Sequence, residues 1–486
     1  MKELKLALSD LGNKLNSPLD QVTLIFCIFI SFPLGLINYF ITSPTIRLLF
    51  GLVTGITIQY FMYEEQVLHC LISVAIAYIH IKLLSRTAYS SPTLVLLIMI
   101  GHLSYNHIHQ MLLTNGGWSL DVTLIHMQIV TKLSSLIYCY EDGSIPDESF
   151  KNEYQKNKKV VDQPTLLEIF SYSFYYSATV MGPYSEFSDF RRFINLEKEY
   201  TDIPMFKAMY NSLYELVYGV ICMGIFLKYK SEYYPHFVVT PEFNEFSFFY
   251  KLFYLNMAMN VNAAKFYAGW KLITAVNVFN GLAYDCEEKT NIDGENVVEH
   301  NFNKIQAAQI TKVLFNPNIK EKIEGWNHQT HIWLKYQVML RFISNKLPFI
   351  RDNRILLTYM ISAAWHGWYP VYYLVFFDFF LIDRICEALK KDKFFERLEH
   401  SSYILQIIVM VISLHCCNYL GVTFALLTFE KTYTYYRSLY FIPNLFVYIT
   451  FIYVTFLKGE TKAATRLEPG KKLDLSKLAN EEKKIK

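Results

Sequence analysis

The chain has 486 residues and a net charge of only +3, and it is 52% hydrophobic and 17% aromatic with 18% charged residues, where soluble domains carry about 25% charged residues. There is no global basic field of the kind that recruits nucleic acid. The eight cysteines contain no C-x-x-C pair, which argues against a disulfide framework or a zinc ribbon and leaves them as buried free thiols.

Gln21 to Phe40 holds no charged residue and is bounded by Asp20, and about 20 apolar residues suffice to cross a hydrocarbon core roughly 30 Å thick. A cleavable signal peptide has a shorter apolar region and a small-residue cleavage site, so this segment reads as a retained first helix. Thr45 to Tyr63, Val67 to Leu84 and Thr93 to Leu113 repeat the pattern. Further apolar or semi-apolar runs lie near Asp121 to Tyr138, Leu166 to Val180, Tyr210 to Phe226, Phe246 to Tyr284, Ile355 to Phe380, Tyr403 to Leu427 and Ser438 to Leu457. The expected fold is all-α and polytopic, with ~9 to 12 transmembrane or re-entrant helices around an internal chamber.

Several later runs carry groups that lipid would not tolerate cheaply: Asp121, Lys132, Glu168, Asn256, Asn260, Asn262 and Lys265. These are expected to face protein or a wet chamber, with helix-to-helix hydrogen bonding open for the asparagines. Tyr140 to Asp162 and Cys286 to about Lys322 are rich in charge and read as solvated loops or surface helices. No repeat of fixed period is visible, so residues 1–457 form one membrane domain, and 458–486 form a polar, lysine-rich tail. The tail ends Lys483-Lys484-Ile485-Lys486. That ending resembles a dilysine retrieval signal, which would place the tail in the cytosol and the protein in the endoplasmic reticulum membrane.

Two segments carry groups suited to chemistry. His366 stands in Ser362-Ala363-Ala364-Trp365-His366-Gly367-Trp368-Tyr369-Pro370, inside an otherwise apolar run. An unperturbed imidazole titrates near neutrality, so a neutral ring there can accept a proton, and Gly367 permits close approach of a ligand or another backbone. A packed histidine with a satisfied ring is the competing reading. The second segment is Gly325-Trp326-Asn327-His328-Gln329-Thr330-His331-Ile332-Trp333-Leu334-Lys335, in which Trp326, Thr330 and Trp333 fall near one face at helical spacing, and Asn327 and His331 share another. An asparagine amide can orient a hydroxyl or donate to an oxyanion. An amphipathic helix lying in the membrane interface is the alternative. A metal reading of His328 with His331, or of His102, His107 and His109, lacks a companion carboxylate or cysteine set, so no metal and no cofactor are expected.

Trp326-Asn327-x-x-Thr330-x-x-Trp333-Leu334 followed by Trp365-His366-Gly367-x-x-Pro370-x-Tyr372-Tyr373 resembles the membrane-bound O-acyltransferase family, in its lysophospholipid acyltransferase branch. Supporting pieces occur in the order of that branch: Asp121-x-Thr123 with Met127, Lys132 to Leu136, Asp142-Gly143, Pro164 to Glu168, Met181-Gly182-Pro183 with Phe187, and Lys265-Phe266-Tyr267-x-x-Trp270-Lys271-Leu272. The resemblance covers about Trp118 to Phe456. Val371 stands where the branch usually has glycine, and His328 where it usually has no histidine.

The resemblance implies acyl-CoA entering from the cytosol and a lysophospholipid entering from the bilayer. It implies His366 as general base and Asn327 as its catalytic partner, with Trp326, Thr330, Trp333, Trp365 and Gly367 shaping the substrate site. A sterol, diacylglycerol or protein acceptor remains open within the family. On the residues alone a transporter or channel also remains open, since such proteins share many helices with buried polar groups.

Overall fold

A computed structural model describes residues 2–114, 117, 119–150, 152–290, 296–343, 347–389 and 402–457. The lysine-rich tail and its dilysine ending lie outside the described residues. The first third is a succession of long helices: α1 (Lys2–Leu15), α2 (Leu19–Tyr39), α3 (Pro44–Tyr63), α4 (Val67–Leu83), α5 (Pro92–Leu113) and α6 (Thr123–Asp142). Proline opens α3 and α5, where a missing N–H costs nothing because the first turn has no intrahelical acceptor.

The middle is more broken. Short helices α7 (Glu153–Lys158), α8 (Leu166–Phe174), α9 (Tyr176–Thr179) and α10 (Phe187–Asn195) precede α11 (Met205–Tyr229), the short α12 (Pro241–Glu245) and α13 (Phe248–Phe279). At 32 residues, α13 is about 48 Å long, more than a bilayer core is thick. An antiparallel hairpin follows, β1 (Asp285–Thr290) with β2 (Asn296–Asn301), in the register Asp285 opposite Asn301 and Thr290 opposite Asn296. Then come α14 (Ile310–Phe315), α15 (Ile319–Trp326), α16 (His328–Trp333), a π-helical segment Leu334–Met339, α17 (Leu340–Ile343) and α18 (Pro348–Asp352). The last part holds α19 (Arg354–His366), α20 (Pro370–Leu389), α21 (Tyr403–Leu426), α22 (Phe429–Ser438) and α23 (Ile442–Ile452).

Among the described residues four helical stretches are long and apolar enough to cross a membrane: Leu19–Tyr39, Pro44–Leu83 taken through its short linking turn, Met205–Tyr229 and Tyr403–Leu426. A fifth is reached if Phe429–Ser438 and Ile442–Thr455, bent by 91°, count as one. The remaining expected segments are interrupted or carry polar side chains. Leu166 to Val180 is not one span, because Tyr175 at φ −57°, ψ 122° separates α8 from α9. The break is held by close approach: a Cβ on Gly55 of α3 would lie 1.5 Å from the carbonyl oxygen of Phe174. Lys132 of α6 donates to the carbonyls of Tyr172 (3.1 Å) and Ala178 (3.2 Å), and Asn277 of α13 donates to that of Ser177 (3.0 Å).

The other polar groups of these runs have protein partners, one of the two surroundings expected for them. The Asp121 carboxylate accepts the Thr123 N–H at 2.8 Å, and Glu168 closes a capping box with Thr165 and binds Arg191 at 2.7 Å. Asn256 meets His415 at 2.7 Å and accepts from Asn418 at 2.9 Å, tying α13 to α21. Asn262 and Lys265 border a cleft of about 320 Å³ also lined by Gln21, Phe226 and Lys230. Nor are the two charged stretches simply solvated. Asp142 is 3% exposed and paired with Arg341, and Lys322 is 1% exposed with its ammonium on the carbonyls of Val313 and Leu314.

Candidate active site

The Trp-Asn segment is a junction between two helices. α15 stops at Trp326, Asn327 takes φ −125°, ψ 71°, and α16 starts at His328. The junction is pinned from outside by the preceding strand-like stretch: Gln309 N donates to Gly325 O and His328 N to Ala307 O, both at 2.9 Å. This break corrects the single helical face expected for Trp326, Thr330 and Trp333. Trp326 packs edge-on against Trp270 (5.2 Å between ring centroids) and Tyr267 (5.4 Å) of α13. Thr330 and Trp333 turn inward and are 5% and 0% exposed. Asn327 and His331 are joined through the main chain, His331 N donating to Asn327 O at 2.9 Å. The burial of Gln329, Thr330 and Trp333 argues against an interfacial amphipathic helix.

The Trp333 indole N–H donates to Ser134 Oγ on α6 at 3.0 Å. Thirty-two positions later the Trp365 indole N–H donates to the Met127 carbonyl, also on α6 and also at 3.0 Å. The two rings lie 6.2 Å apart. α6 therefore brings together the Asn327 and His366 segments, which the sequence separates by about forty residues.

His366 is the last residue of α19. Gly367 adopts φ +133°, a conformation that L side chains rarely take, its N–H donates to Ala363 O at 3.0 Å, and Pro370 opens α20. The break leaves the His366 ring at a helix end, where it stacks on Phe376 (5.3 Å, 27° between planes) and meets Phe424 edge-on (5.2 Å). Among the described residues no group hydrogen-bonds the His366 ring, and none hydrogen-bonds the Asn327 amide. The two neighbouring indoles are instead both hydrogen-bonded to α6.

Reasoning from sequence placed Ser134 in the Lys132 to Leu136 piece without a role, missed Phe376 and Phe424, which have no local signature, and weighed His107 only as a metal ligand. His107 Nε2 lies 3.0 Å from the Trp365 carbonyl. The other histidines of its helix go elsewhere: His109 stacks on Tyr105 (6.3 Å between centroids), and His102 bonds His69 (3.1 Å) and Ser73 (3.2 Å), with Ser73 continuing to His126 (2.8 Å). His331 faces Glu324 at 3.8 Å. Among the described residues no three His, Cys, Asp or Glu side chains gather as a metal-ligand set.

The family model described as MBOAT, membrane-bound O-acyltransferase family, matches residues 81–429, a span that contains both segments. The chain is similar to a protein named lysophospholipid acyltransferase from Saccharomyces cerevisiae, 29% identical over 74% of this chain and 61% of the relative. A protein of the same name from Schizosaccharomyces pombe is 25% identical, covering 88% of this chain and 85% of that one. Mouse lysophospholipid acyltransferase 5 is 23% identical over 91% and 90%. The match spans less than two thirds of the length of the budding-yeast relative.

Proposed function

This chain belongs to the membrane-bound O-acyltransferase family, and from that premise we propose that it is an acyl-CoA-dependent lysophospholipid O-acyltransferase of the endoplasmic reticulum membrane. The observation that supports the reading best is the pairing on α6: Trp333 and Trp365, 6.2 Å apart, bring the Asn327 and His366 segments together while both polar side chains stay open. The names of the relatives favour a lysophospholipid as acceptor.

In the proposed reaction His366 takes the proton from the free glycerol hydroxyl as that oxygen attacks the thioester carbonyl. The C–O ester bond forms, the C–S bond breaks, and the thiolate of coenzyme A takes up the proton from His366. No covalent enzyme intermediate is needed. Asn327 orients the hydroxyl or donates to the tetrahedral oxyanion. The aromatic walls of Phe376 and Phe424 exclude water from the thioester. Neither a metal nor a resident cofactor takes part in this scheme, and activity is expected to survive strong chelators.

The test is to offer the detergent-solubilised protein labelled acyl-CoA with lysophospholipids, a sterol, diacylglycerol and an acceptor peptide. Label is expected in phospholipid. Transfer to one of the other acceptors with none to any lysophospholipid would overturn the acceptor, and no transfer at all would overturn the reaction.

A further inference from the structure

We propose that His107 is a positioning residue for this reaction, holding the bend that presents His366; the inference rests on the function proposed above. The last four carbonyls of a helix have no intrahelical N–H, and each needs an outside partner when buried. In a continuous helix the Trp365 carbonyl would receive the N–H of Tyr369. The turn at Gly367 removes that donor. His107, which reaches in from α5 across 258 positions of sequence, donates its Nε2–H to that carbonyl at 3.0 Å.

The placement is close. A Cβ on Gly367 would sit 3.5 Å from both Cγ and Nδ1 of His107, an ordinary contact, so the glycine is required by its φ of +133° and not by lack of space. Trp365 is thus gripped at two points, its carbonyl by His107 of α5 and its indole N–H by Met127 of α6 at 3.0 Å. The next residue along the chain is His366. With the indole held by α6 and the carbonyl by α5, the backbone entering His366 has one orientation, and the imidazole is aimed along the face of Phe376. His107 reaches the reaction only through this backbone.

Nothing else competes for the carbonyl among the described residues. The bond to a carbonyl fixes the proton of His107 on Nε2, and its Nδ1 faces Gly367. A side chain that keeps an N–H at the same reach should therefore serve. Glutamine does this; asparagine offers the same amide one methylene shorter, and leucine offers no donor.

The experiment measures kcat and KM for both substrates with His107→Gln, His107→Asn and His107→Leu, each normalised to the fraction that binds acyl-CoA. Misplacing a reacting group by about 1 Å costs on the order of 10²-fold in rate. His107→Leu and His107→Asn should accordingly lose roughly 10- to 100-fold in kcat, with KM for either substrate changed by no more than about twofold, and His107→Gln should recover to within about fivefold of wild type. Should the leucine variant fail to accumulate, the glutamine and asparagine variants decide the matter by themselves. Equal rates for the two amides, or wild-type kcat in the leucine variant, would overturn the positioning role. A wild-type protein that acylates no lysophospholipid would instead overturn the function on which the inference rests.

Discussion

Two polar regions flank α6, and they are built on opposite terms. On one side Glu186, 3% exposed, accepts from Ser135 (2.5 Å), Tyr154 (2.8 Å) and Gln337 (3.1 Å), while Arg341 grips both oxygens of Asp142 at 2.7 Å and also reaches Gln337. Beside it His366 lies among Trp365, Phe376 and Phe424, and Asn327 stands at the helix junction after Trp326, each without a hydrogen-bond partner for its side chain among the described residues. A satisfied buried network rigidifies and locates the elements that carry it. This one fixes the π-helical segment that follows α16, and such segments often mark functional sites. The His366 and Asn327 side chains, by contrast, take no part in that network.

The contrast can be broken by exchanging the expected consequences. The largest effect belongs to His366→Ala, which removes the proposed base: turnover should fall ~10² to 10⁴-fold, with thermal stability and acyl-CoA binding unchanged. Loss of stability with a preserved rate per folded molecule would move His366 into the structural class. Next is Arg341→Met, which leaves the Asp142 carboxylate buried without its cation. Breaking one side of such a pair costs about 3–5 kcal/mol, so the variant should melt far below wild type in detergent, yet its surviving fraction should turn over within a few fold of normal. An unchanged melting temperature would remove Arg341 from the framework.

The smallest effect is expected away from the site, at Asp189 of α10, where it sharpens the framework side of the comparison. This residue is 4% exposed and bound by Lys158 at 2.9 and 2.7 Å. Burial alone would raise its pKa, but the charges of Lys158, Lys304 and Arg192 outweigh burial and hold it below the ordinary aspartate value. A depressed carboxylate contributes stability that is fully present above the unfolded value of about 3.9 and is lost as pH falls through the folded value. Asp189→Asn should then cost about 1.5–3 kcal/mol near neutrality. The gap from wild type should narrow below about pH 4, and a gap that stays constant down to pH 3 would contradict the ion-pair account.

How far the sequence revealed this molecule depended on which force decides each feature. The apolar runs at Gln21 to Phe40, Thr45 to Tyr63, Val67 to Leu84 and Thr93 to Leu113 fall within two residues of α2 to α5, because continuous hydrophobicity sets their ends. His366 stood out for the complementary reason, a titratable ring in an apolar run. Hydropathy carries no information about dihedral angles, however, so the breaks at Tyr175, Asn327 and Gly367 were not visible, and Trp326 was wrongly aligned with Trp333. The β1–β2 hairpin was equally hidden in a charged stretch read as solvated loop or surface helix. Partners supplied from far along the chain, Ser134 for Trp333 and His107 for the Trp365 carbonyl, leave no mark in the local sequence.

The central claim is that His366 and Asn327 act as one unit on a single reacting carbonyl, and a double-mutant comparison of acyl transfer tests it most directly. Groups that act together are strongly non-additive. His366→Ala and Asn327→Ala should each depress the single-turnover rate, and the double variant should be little slower than the worse of the two, with acyl-CoA binding retained in all three. Independent, multiplying losses would show that the two side chains serve separate steps, and a wild-type rate in His366→Ala would contradict the account outright.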